Sequence, residues 1–136
     1  MKAFLRPALA RATVVLLLAS PAAAQELTGG AQLVRAYDAI FDARFNELPA
    51  VLARTCPPAP AEACQLLDAV GIWWQIQLDP ASLARDTQFQ SKVDAAIAAT
   101  VAWTKREPER AEAWFYLGGA HGARAQWRVQ IGRAHV

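Results

Sequence analysis

Apolar positions recur at three- and four-residue steps over most of the chain, which is the period of helices packed on one face. Leu33, Tyr37, Ile40 and Phe41 share such a face, with Arg35, Asp38 and Asp42 turned away, and predict a helix over 31–43. Phe45-Asn46-Glu47 reads as a turn, with Asn46 placed to cap a short helix over 47–54. Pro49 fits the first turn of that helix. Cys56-Pro57-Pro58 ends it.

A third helix is predicted over 61–78. Leu66, Leu67, Val70, Trp73, Trp74 and Leu78 form its apolar face, and Asp79-Pro80 stops it. After a loop, Phe89, Val93, Ala96, Ile97, Thr100 and Trp103 predict a fourth helix over 87–106. Lys105 and Arg106 in its last turn suit the helix dipole, and Glu107-Pro108 breaks it. A fifth helix is expected from Glu109 to at least Arg128, with Glu109 and Glu112 at its positive end. Helix-favouring composition and the lack of alternating β-branched runs point to an all-α domain. Short connections imply antiparallel helix pairs.

The stretch from Pro108 to His121 carries the motif Trp114-x2-Leu117-Gly118-x2-His121. It resembles the Trp-x2-Leu-Gly-x2-Tyr opening of a tetratricopeptide repeat, with His121 in place of Tyr. Pro108 stands six residues before Trp114, where the family commonly places a Pro, and Ala96 fits the small position of the preceding unit. Trp103 and Thr100 depart from the usual residue types. The 48 residues from Pro60 to Pro108 also exceed the family period of about 34. The resemblance covers about 87–128 and extends more weakly to Ala31. It implies a helical solenoid that binds a protein or peptide on its concave side. Its candidate contact residues are Glu112, Phe115 and Gly119, and the stripe of Trp114, Leu117 and His121 would pack inward.

The first 24 residues read differently. Lys2, Arg6 and Arg11 precede an apolar core at 12–19, and Ala22-Ala23-Ala24 offers a cleavage site before Gln25. Such a core is shorter than the about 20 residues of a transmembrane helix. The expectation is a signal peptide over 1–24 and an exported protein, periplasmic or extracellular, with no membrane span after cleavage. Net charge then changes sign. The whole chain carries 14 basic and 12 acidic residues; without Lys2, Arg6 and Arg11, 11 basic residues face the 12 acidic ones. No basic footprint for nucleic acid remains.

Ile131-Gly132-Arg133-Ala134-His135-Val136 equals the translation of ATC GGA AGA GCA CAC GTC, the start of a widely used sequencing adapter. The expectation is that 130–136 is adapter-derived, that the native protein continues past Val129, and that the domain at 25–129 is truncated. A solenoid cut inside a unit would leave the face of Trp114 and Leu117 without its neighbour.

Candidate chemistry is sparse. Cys56 and Cys64 form an even pair in an exported chain, which favours a disulfide over metal or redox thiols. His121 has no Cys or carboxylate cluster beside it and is expected to pack. Gly118, Gly119 and Gly122 lack the strand and Lys-Ser/Thr of a phosphate loop, and suit close approach of a partner helix instead. Asp38 and Asp42 lie one turn apart beside Arg35 and Arg44, as on an exposed charged face. Ser82 and Ser91 have no base at recognisable spacing. No catalytic residue, cofactor or metal is expected, and the protein is read as a noncatalytic scaffold. Two alternatives stay open: a glycan or small-ligand binder using Trp73 or Trp74, and the accessory helical domain of an enzyme whose catalytic part lies further along the chain.

Overall fold

The structure, a computed structural model, describes residues 26–134, with side chains as far as Gln130. The expected signal peptide therefore lies outside the described residues. Five helices follow one another: α1 Gly30–Phe41, α2 Leu48–Thr55, α3 Ala61–Leu78, α4 Asp86–Arg106 and α5 Ala111–Ala134. The described residues contain no strand, so the domain is all-α as the periodicity predicts. The backbone of α5 continues through 131–134, inside the stretch read as adapter-derived.

Consecutive helices pack on each other, and so do α1 with α3 and α3 with α5, whereas α2 and α4 do not touch. The odd-numbered helices therefore form one layer and α2 and α4 the other, a zigzag shared by helical bundles and solenoids. Two apolar clusters fill the space between the layers. One gathers Leu33, Ile40, Leu48, Leu67, Trp103 and Tyr116. The other, at the far end of α3, gathers Ile72, Ile76, Phe89, Val93 and Trp127.

Proline punctuation sets α3 to the residue, but other ends differ from expectation for local reasons. α1 stops at Phe41 rather than Ala43 because Ala43 takes a left-handed φ of 56°. The amides of Ala43 and Arg44 then return to the carbonyls of Ile40 and Ala39 at 3.1 and 2.8 Å, the paired bonds of a Schellman ending. Asn46 does not cap α2: the N-cap is Glu47, without a side-chain bond, and its carboxylate accepts from Arg44 at 2.9 Å. α5 begins at Ala111 rather than Glu109, because Arg110 N closes a turn onto Glu107 O at 3.0 Å.

Cys56 and Cys64 are joined in a disulfide. It ties the end of α2 to the first turn of α3 across the proline-rich connection. Just before α1, Gly29 has a φ of 71°, and a Cβ there would lie 2.6 Å from the backbone nitrogen of Ala59. Only glycine meets both demands.

Candidate functional site: an aromatic face across the odd-numbered helices

The inner side of α5 is built from Ala113, Tyr116, Ala120, Ala123 and Trp127, all buried. Small residues at three of these positions let α5 lie close to α3 and α4, and the two large rings fill the space beyond. The stripe of Trp114, Leu117 and His121, expected to pack against a neighbouring unit, is turned one residue away from this side. Trp114 is 53% exposed, Leu117 is half-buried and His121 is exposed. His121 therefore does not serve as a packing residue; its Nδ1 lies 3.3 Å from Arg124 Nη2. Trp114 keeps one link to the preceding turn, donating from Nε1 to the Pro108 carbonyl at 2.8 Å.

The three expected contact residues separate. Glu112 is buried, accepting from Thr28 N at 2.8 Å, Thr28 Oγ1 at 3.0 Å and Arg110 Nη2 at 2.8 Å. Its place is in a structural network, out of reach of a partner docking on the surface. Phe115 and Gly119, one turn apart, are both exposed. Gly119 also lies over α3, where an added Cβ would stand 3.1 Å from Leu66 Cδ2.

Aromatic side chains on α1 and α3 extend this surface. The rings of Tyr37 and Phe41 stack at 5.9 Å, Phe41 meets Trp74 edge-on at 5.5 Å, and Trp74 meets Trp73 at 5.4 Å. Four rings thus run without a break from α1 to α3. Phe41 is 63% exposed and Val34, two turns before it, 58%. The periodicity assigned Tyr37 and Phe41 to the core face; the core has room for Leu33, Ala36 and Ile40, and leaves the two rings at its rim. Trp74 packs against the first cluster and Trp73 against the second, so each tryptophan is half-buried with an open edge.

On the far side Trp73 shares an open cavity of ≈ 310 Å³ with Ala125, Gln126 and Val129 of α5. Phe115 meets the buried ring of Tyr116 edge-on at 5.2 Å. The Tyr116 hydroxyl is buried with no hydrogen-bond partner among the described residues, as is Trp73 Nε1. Burial, then the nearby Glu112 carboxylate and Tyr37, push the Tyr116 phenol up to about 12. Burial also raises Tyr37. These phenols stay protonated over the physiological range and act as apolar rings with donor tips.

Two of the remaining candidates are engaged locally. Asp42 pairs with Arg44 at 3.2 Å on an exposed surface, and Ser82 Oγ accepts from Ala84 N at 3.3 Å in a turn. Among the described residues no group of three or more His, Cys, Asp or Glu is placed to hold a metal ion. No helix of the described residues is long and apolar enough to cross a membrane. No protein-family model, curated protein or solved structure matches the chain.

Proposed function

We propose that this chain is an exported, noncatalytic scaffold of tetratricopeptide-like helix pairs, which binds a protein or peptide across the face formed by α1, α3 and α5. The observation that carries this reading is the run of rings Tyr37–Phe41–Trp74–Trp73, in which Tyr37 and Phe41 are exposed, together with the exposed ring of Phe115 on α5. Contiguous exposed aromatic surface of this kind marks interaction sites, and aromatic rings dominate binding energy at interfaces. The two-layer zigzag and the Trp114–Pro108 link are compatible with a repeat architecture. Export is supported by the Cys56–Cys64 disulfide, since such bridges persist in oxidising compartments, the periplasm or the extracellular space.

Quantitative co-purification from the producing cells tests the reading. Phe41→Ser with Phe115→Ser should lose a defined partner that the parent chain and Arg106→Ala retain. Equal recovery from all three contradicts it.

A second reading is favoured by the Trp73–Trp74 pair beside an open cavity: a glycan or other small ligand stacked on indole. Quenching of tryptophan fluorescence by soluble glycans, abolished in Trp73→Phe, would support it over a protein partner.

A further inference from the structure

The α1–α2 hairpin holds a second concavity, where charged side chains are gathered around Val51, with a volume of ≈ 330 Å³. Arg35 and Asp38 line it from α1, Arg44 and Glu47 from the connecting turn, and Arg54 from α2. Thr55 closes its bottom: the residue is 2% exposed, and its hydroxyl donates to Val51 O at 2.9 Å. The charges in the cleft are unevenly satisfied. Arg44 is engaged on both sides, by Glu47 at 2.9 Å and Asp42 at 3.2 Å. Arg35, Arg54 and Asp38 belong to none of the ion pairs among the described residues.

Two guanidinium groups and one carboxylate therefore line a shared concave space without a direct ion pair to one another or to a neighbour. Guanidinium groups match carboxylates in geometry and charge. A simple dianion would answer the two arginines but meet Asp38 with like charge. A ligand with two carboxylates and one ammonium answers all three. Ligand sites usually span about 300–1,000 Å³, so this cleft suits one amino acid better than a peptide.

We propose that the α1–α2 cleft binds an acidic α-amino acid, its two carboxylates on Arg35 and Arg54 and its ammonium on Asp38. This site is independent of the aromatic face and of any partner held there. Electrostatic capture at an open site depends on ionic strength, so binding weakens as salt rises.

The test is a titration of the ¹⁵N-labelled protein with L-glutamate, followed by amide chemical shifts. L-glutamine and inorganic phosphate serve as comparison probes. Saturable shifts confined to residues 30–56 are expected, with the dissociation constant raised about tenfold by Arg35→Ala and by Arg54→Ala. Glutamine and phosphate should each bind at least about fivefold more weakly than glutamate. Arg106→Ala, outside the cleft, should leave the titration unchanged. Both cleft arginines are exposed, so these variants should keep the parent circular dichroism spectrum; Arg35→Lys and Arg54→Lys replace any that do not, with weakened binding again expected. Shifts that do not saturate, affinities indifferent to Arg35 and Arg54, or phosphate binding as tight as glutamate would each overturn the proposal.

Discussion

Thr28 and Glu112 stand 84 residues apart in the chain and share two hydrogen bonds, from the Thr28 amide to Oε1 at 2.8 Å and from its hydroxyl to Oε2 at 3.0 Å. They fasten the approach to α1 onto the first turn of α5, the two outer members of the odd-helix layer. Arg110 binds the same carboxylate, reaches Thr28 Oγ1 at 3.1 Å, and lies 5.1 Å from the centre of the Trp103 ring. Glu112→Ala removes the common acceptor. Hydrogen bonds to a charged group contribute about 1.5–3 kcal/mol each, but Arg110 keeps Glu107 at 3.0 Å and Thr28 can turn to water. A net loss of about 2 kcal/mol is expected in urea denaturation. A loss under about 0.5 kcal/mol would show that the carboxylate is replaceable.

Ala43 holds a left-handed φ of 56° to complete the ending of α1. An alanine there is disfavoured by about 1 kcal/mol relative to a permitted backbone region. Ala43→Gly should therefore stabilise the domain by about 0.5–1 kcal/mol, read as a raised thermal midpoint. A lowered midpoint would mean that the α1–α2 turn does not adopt this conformation in solution.

The bridge between Cys56 and Cys64 encloses a loop with a sequence separation of 8. Loop-closure entropy for so short a segment gives about 2.5 kcal/mol. Reduction, or Cys56→Ser with Cys64→Ser, should lower stability by about that amount and loosen the α2–α3 connection first, as hydrogen exchange would report. An unchanged melt after verified reduction would contradict this.

Tyr116 is 3% exposed, and its phenol is pushed up to about 12. The folded chain thus holds this proton more tightly than the unfolded chain, where the phenol titrates near 10. The resulting stabilisation is complete below pH 10 and is lost as pH rises from about 10 through 12. Tyr116→Phe should flatten the alkaline fall in stability between pH 10 and pH 12 relative to the parent. At pH 8 it should cost less than about 1 kcal/mol, because the hydroxyl it removes has no acceptor. Parallel pH profiles for parent and variant would contradict the assignment.

The all-α class and the bounds of α3 were legible in the sequence because Pro60 and Asp79-Pro80 punctuate it and its apolar face is broad. The disulfide was legible from an even cysteine count and the expected compartment. Two features were not. On α5 the repeat motif drew attention to Trp114 and Leu117, while contact is made through Tyr116 and Trp127 and through Ala113, Ala120 and Ala123, whose burial is set by close helix approach rather than by hydrophobicity. On α1 the period placed Tyr37 and Phe41 with Leu33 and Ile40. Periodicity gives the direction of an apolar face but not how deep the neighbouring helices reach across it. The rim of that face is where the candidate site lies, so it could be recognised only once α3 and α5 were in place. Glu112 shows the converse: the repeat resemblance placed it on the contact stripe, and a partner 84 residues away buries it.

Site-specific photocrosslinking in the producing cells tests whether the aromatic face of the odd-numbered helices is the docking surface. A photoreactive phenylalanine analogue at position 41 or 115 should yield one adduct of defined mass with the same protein or peptide, and the analogue at position 105, exposed on α4, should yield none. Adducts formed equally from all three positions, or none from 41 and 115, would show that this face is not the docking surface.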